Sequence, residues 1–178
     1  MPRDRCYIPR GGALVETCTR TIQGRLLLRP DEDFVEIFFG VLGRALEYAQ
    51  VELYGLSCLS NHVHLLYWAE HALQMAGFQW YFNGNLAREV ARLRDWPEKV
   101  WGRRYRPMIV SDEPGAQWER LSYLLANGTK ENLIASPYDW PGIQVPDALV
   151  GGKPLVGHWF NRTEEYEARR RSETFEPP

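Results

Sequence analysis

Cysteine is scarce: Cys6, Cys18 and Cys58 are the only three in 178 residues, odd in number and far apart. This excludes a disulfide framework or a CxxC zinc site and leaves buried thiols as the expectation. No apolar run approaches the ~20 residues of a membrane-spanning helix, and the opening MPRDRCYIPR has no apolar signal core, so a cytoplasmic protein is expected. A basic excess is missing too. With a net charge of -2 and a pI near 6.1, nonspecific electrostatic binding to nucleic acid is disfavoured, and any such contact has to be local. There is no internal repeat and no low-complexity run. What the chain does have is 44% hydrophobic residues, enough in this length for one compact core.

The order of elements is legible from periodicity. GALVETCTRTI, residues 12–22, is β-branched and reads as a strand. Asp31, Glu32 and Asp33 supply acceptors and negative charge at a helix start, and Phe34, Phe38, Val41, Leu42 and Ala45 continue at helical spacing. VELYGLSC and HVHLLYW read as two strands joined tightly through LSN, and a helix is expected from about Ala72 to Leu93 despite Gly77 and Gly84. VWGRRYRPMIV predicts a fourth strand, followed by one helix from Pro114 to just before Gly128. This β-α-β-β-α-β order predicts an α+β, ferredoxin-like split βαβ sheet with an appended helix. Such a fold hosts many functions and decides none. After Ile143 the sequence turns Pro- and Gly-rich, and EEYEARRRSETFEPP predicts a short helix and a loose tail.

Within SNHVHLLYW, residues 60–68, two histidines stand one residue apart in an apolar strand. Alternate side chains share a strand face, so His62 and His64 point one way while Val63 and Leu65 point the other. Converging neutral imidazoles suit a divalent metal, although a bare HxH is equally a pair of satisfied histidines on a half-buried sheet. The helix after Pro114 adds a second group. Trp118, Leu121, Leu124 and Leu125 form an apolar stripe, with Glu119, Tyr123 and Asn127 on roughly the opposite side. Tyr123 and Asn127, four apart, are expected to project side by side: an amide oxygen can complete a coordination sphere, and a phenol beside a phosphate can act as nucleophile.

Two basic clusters interrupt the acidic balance: Arg88 and Arg92 with Arg94, and Lys99, Arg103, Arg104 and Arg106 interleaved with Trp101 and Tyr105. Either alone reads as a solvated face, but aromatics among arginines can stack on unpaired bases while guanidinium groups hold phosphates. Trp80, Tyr81 and Phe82 are expected as core and flank of the second helix. His71 and His158 stand alone and are given no site role.

SNHVHLL resembles the histidine-hydrophobe-histidine motif of the HUH single-tyrosine transposases, in which Pro-Asn-His-Val-His-Leu-Leu is common. YLLANGTKENLI, residues 123–134, aligns without gaps to that family's pattern of Tyr, three residues, Asn-Pro-Val and a Gly-Leu-Val ending. MPR with PRGGAL, VWGRRYR and SPYDWPG match further, so the similarity runs over residues 1–143 and is greatest to the REP-associated tyrosine transposases. Gly128 and Thr129 depart from the usual Pro-Val, and Glu131 and Asn132 stand where small residues are frequent.

The resemblance implies a catalytic domain over 1–143 with a C-terminal extension over 144–178. It makes His62, His64 and Asn127 ligands of Mg²⁺ or Mn²⁺ and Tyr123 the nucleophile of a metal-dependent single-stranded DNA endonuclease and strand transferase. The implied substrate is single-stranded or hairpin DNA, cut through a 5′-phosphotyrosine intermediate that needs no nucleotide cofactor. Arg88, Arg92, Lys99, Arg103, Arg104, Tyr105 and Arg106 are then the expected DNA contacts. A nucleoid-associated location follows, as monomer or homodimer, with the tyrosine acting in its own subunit or a partner's. The acidic balance also admits a second class, a domesticated nucleic-acid-binding regulator that has lost cleavage. A histidine-triad hydrolase is disfavoured because Leu66 stands where its third alternating histidine would fall.

Overall fold

Four strands make one antiparallel sheet in the order β2-β3-β1-β4. They are β1 (Ala13–Arg20), β2 (Glu52–Leu59), β3 (His62–Ala69) and β4 (Arg106–Ile109). Two helices lie between them, α1 (Glu32–Ala49) after β1 and α2 (Ala72–Leu93) after β3, which completes the expected ferredoxin-like split βαβ. This computed structural model describes residues 6–143, 152 and 154–173. The MPR match at the start and the tail from Thr174 lie outside the described residues.

The sheet has two unlike faces because its strands alternate. Val15 of β1 and Val63, Leu65 and Tyr67 of β3 face α1 and α2, where Phe34, Phe38, Phe78, Phe82 and Leu86 close the main core. Buried Gln79 ties α2 to the sheet, its Nε2 donating to Thr17 Oγ1 at 2.9 Å and to Tyr67 Oη at 3.2 Å. On the opposite face Leu14, Leu66 and Val110 meet Leu124 of α3 (Pro114–Leu125). Gly55 of β2 lets that helix approach, since a Cβ there would lie 3.1 Å from Leu121 Cδ1. The sheet's second face is thus covered by α3 near the β2 side, and the histidine end of β3 belongs to this same face.

Local chemistry explains the boundaries. Asp31 caps α1 by accepting from Phe34 N at 3.0 Å, and Gln50 ends the helix in the left-handed region at φ 54°. His71 caps α2, its Nδ1 accepting from Gln74 N at 3.1 Å, so this lone histidine has a structural post. The α2 bounds match the expected ones at both ends.

Three expectations need correction. The fourth strand is short: Val100–Tyr105 stay out of the ladder, apart from a single bridge between Trp101 and Thr21. Trp101 Nε1 donates to Asn83 O at 2.8 Å and Ile22 N donates to Val100 O at 2.8 Å, which pins this segment to α2 and the turn after β1. The helix expected as one piece to Asn127 breaks at Ala126, whose ψ of 4° interrupts it, and a short turn of helix, α4 (Asn127–Lys130), follows. Two tryptophans are 71% exposed: Trp80, expected with Tyr81 and Phe82 as core and flank of α2, and Trp118, expected in the apolar stripe of α3. Beyond Ile143, α5 (Arg162–Glu173) is the short helix expected there, and Arg162 joins it to buried Glu89 of α2.

Candidate functional site

Strand pairing assembles the site from the histidine end of the sheet. In the β1–β3 register Arg20 stands opposite His62, Cys18 opposite His64, and Glu16 opposite Leu66. Cross-strand and diagonal neighbours on one face are within side-chain reach, so Glu16 and Cys18 come to His64. His62 Nδ1–H donates to Asn61 Oδ1 at 2.6 Å, and the two imidazole rings lie 5.1 Å apart, edge to face.

Asn127 arrives from the far side. The break at Ala126 turns α4 toward the sheet, leaving Asn127 only 4% exposed with its Nδ2 donating to His62 Nε2 at 3.2 Å. The sequence predicts Asn127 one turn beyond Tyr123 on a continuous helix; the break at Ala126 instead buries its amide against an imidazole 65 residues earlier. Tyr123 is half-buried on α3. The guanidinium of Arg120 lies 4.6 Å from its ring centroid and Lys130 Nζ 3.9 Å.

Two residues that sequence reasoning missed connect these groups. Glu16 is 2% exposed, accepts from His64 Nδ1–H at 2.6 Å, and accepts from Arg120 Nε through its second oxygen. The sequence signal was a charged residue among β-branched neighbours at an inward position of β1, where an unpaired carboxylate is costly.

The electrostatics of the two imidazoles diverge. Burial pushes His62 down to about 4, with the positive neighbours His64 and Arg20 adding to the effect. Burial works in the same direction on His64, but hydrogen bonds to Cys18 and Glu16 outweigh it and raise this group to about 9. Burial of Glu16 likewise opposes ionisation, and its bonds to His64 and Arg120 win, holding the carboxyl below its ordinary range. His62 is thus neutral, with an Nε2 lone pair facing an amide.

The donor set fits a small divalent cation. His62 Nε2 lies 3.2 Å from the Asn127 amide and the His64 ring lies 5.1 Å from that of His62; with Nδ1 of each ring engaged by Asn61 and Glu16, Nε2 is the atom each could offer a metal, His64 on giving up a proton. Turning the Asn127 amide would present its oxygen instead of its NH₂. Among the described residues no group of three or more His, Cys, Asp or Glu side chains could hold a metal, so the amide is necessary to a three-ligand site.

The expected DNA contacts fall in two places. Arg103, Arg104 and Tyr105 line a cleft of about 560 Å³ with Trp80, Trp101 and Asn83, at the end of β1 but on the α2 side of the sheet. Lys99 and Arg106 are exposed near it in sequence, flanking this segment. Arg88 and Arg92 lie apart, bonded to Asn85 and Glu89 where Phe160, Arg162 and Tyr166 of the C-terminal segment come against α2. The structure does not bring these two to the histidine end.

No family model matches this sequence, and no curated protein does. Two solved structures are similar to this chain. One is a REP-associated tyrosine transposase bound to a REP hairpin, at TM-score 0.55 and 16% identity over 90% of this chain and 94% of that one. The other is a candidate transposase from Deinococcus radiodurans R1, at TM-score 0.46 and 20% identity over 76% of this chain and all of that one. At such identity the first likeness establishes a shared fold.

Proposed function

We propose that this protein is a metal-dependent single-stranded DNA nicking and joining enzyme of the tyrosine transposase kind. The observation that carries the reading is the contact of the Asn127 amide with His62, whose ring lies beside that of His64, with the Tyr123 helix tied to His64 through Arg120 and Glu16. A divalent cation held by His62, His64 and Asn127, Mg²⁺ or Mn²⁺, would polarise the scissile phosphate and offset the charge that develops on its oxygens.

The chain's own groups do the rest. Tyr123 loses its proton to solvent and its phenolic oxygen attacks phosphorus. A tyrosine–phosphate bond forms at the 5′ side while the 3′ oxygen departs and takes up a proton. Attack by a 3′-hydroxyl on that phosphotyrosine reverses the step and joins strands without a nucleotide cofactor. Arg120 and Lys130 steady the ring and place positive charge beside an incoming phosphate. Because Asn127 and Arg120 of one chain reach that chain's own His62 and Glu16, the reading assigns Tyr123 to the histidines of its own subunit.

Single-stranded or hairpin DNA is the proposed substrate. Arg103 and Arg104 can take phosphates while exposed Trp80 and half-buried Tyr105 stack on unpaired bases. The similar REP-associated transposase was solved on a hairpin, which agrees. Incubating the protein with labelled hairpins bearing single-stranded flanks, with and without Mn²⁺, tests the reading. Mn²⁺-dependent nicks are expected. Binding without any cleavage would point instead to a regulator.

A further inference from the structure

We infer that Glu16 and Arg120 are positioning residues of this reaction, fixing the His64 imidazole and the Tyr123 ring in one frame. The inference rests on the nicking reading and concerns two residues that carry no chemistry themselves. Glu16 spends one carboxylate oxygen on His64 Nδ1–H and the other on Arg120 Nε, across 48 and 104 residues of sequence. Arg120 then lies over the ring of Tyr123, three residues further along α3. One side chain of β1 therefore joins a residue of the metal side to the ring of the nucleophile.

A purely structural purpose explains this poorly. Neighbouring positions on the same sheet face are filled by Leu14 and Leu66, packed with Leu124, and an apolar residue at 16 would extend that cluster without burying a charge. The pair of buried Glu16 and half-buried Arg120 stands where both partners are one contact from proposed reacting groups. Two consequences follow for the chemistry. The bond at Nδ1 makes Nε2 of His64 the atom that would ligate, on giving up its proton to an arriving metal. The bond to Arg120 sets the roll of α3, and with it the direction in which Tyr123 projects.

Glutamine is the informative replacement, since its amide has the shape of the carboxylate but puts a donating NH₂ where one of the two accepting oxygens stood, so it cannot accept from His64 and Arg120 at both positions. In the full-length protein, Glu16→Gln and Arg120→Ala should each lower kcat for nicking about 10–100-fold, with KM for hairpin DNA nearly unchanged. The double variant should be no slower than the worse single one, because both changes break one frame. Metal-free protein supplies an independent readout: the ring resonances of Tyr123 should shift in Glu16→Gln, although Glu16 does not touch that ring. Arg120→Lys, which keeps the charge without the planar fork, should recover only part of the rate. Additive losses, or unshifted Tyr123 resonances, would overturn the inference. So would full recovery of the Glu16→Gln rate at saturating Mn²⁺, which would confine the effect of Glu16 to the metal side and leave the Tyr123 ring out of the frame. If the wild-type protein nicks nothing, the reading above fails, and the metal-free ring spectrum alone decides whether the frame exists.

Discussion

His62 and His64 share a strand face yet carry different charge, and the cause lies in their partners. His62 has a neutral amide on either side, Asn61 and Asn127, whereas His64 has a carboxylate. Replacing Asn127 by alanine deletes one proposed ligand while leaving both imidazoles. Titration calorimetry with Mn²⁺ should then show affinity about 10–100-fold weaker, with nicking partly recovered at high Mn²⁺. His62→Ala should show no such recovery; undiminished nicking in that variant would remove the metal assignment. The histidine pair was legible because a period of two needs only three consecutive residues to declare a shared face. Glu16 was not legible, since its bond to His64 depends on which strand lies beside β3 and in what register, and neither is written locally. Asn127 was legible as a residue but not in its burial, which the break at Ala126 creates.

Elements set the distances that residues then use. α3 reaches the sheet because Gly55 has no side chain, and a valine there would meet Leu121. Gly55→Val should cost about 1–3 kcal/mol by overpacking and lower nicking further than the stability loss explains, checked by denaturant unfolding alongside the nicking rate. At the opposite face, Asp31 caps α1 and pairs with Arg94 at 2.6 Å, which ties the start of α1 to the end of α2. Burial opposes ionisation of Asp31, but bonds from Arg94 and Phe34 N outweigh it and hold the group below its ordinary range. A carboxyl lowered in the folded state stabilises fully above its unfolded value, about 3.9, and loses that contribution as pH falls through the folded value. Asp31→Asn keeps the cap, so the variant should be less stable at neutral pH by at most about 1 kcal/mol, since Asp31 is 43% exposed. The difference should vanish in acid; a deficit independent of pH would contradict it. α2 was legible to its ends because its apolar face repeats for six turns' worth of sequence, whereas β4 was overread: Val100–Tyr105 has a strand's composition but spends its bonds on α2 and the turn after β1.

On the scale of the whole molecule, the two basic clusters of an acidic chain stand apart, and of the two only the one around Arg103 and Arg104 lies at the histidine end of β1. That arrangement suits a single strand rather than a long duplex face. Binding to hairpins with single-stranded flanks should exceed binding to blunt duplex and weaken as salt rises. Trp80→Ala should cost about 1–3 kcal/mol of that binding if a base stacks there, measured by fluorescence anisotropy at fixed salt. Equal affinity for blunt duplex would contradict the substrate assignment. The α+β layout was legible at this scale because its strands and helices alternate in a recognisable order; the cleft was not, because exposed Trp80 reads in sequence like a core residue of α2. The central claim is that Tyr123 carries the DNA. Protein incubated with Mn²⁺ and a single-stranded hairpin, digested and analysed by mass spectrometry, should show a 5′-phosphonucleotide on the peptide containing Tyr123, absent from Tyr123→Phe although that variant still binds DNA and metal. An adduct on Tyr105 or Tyr138, or cleavage with no adduct at all, would contradict the account.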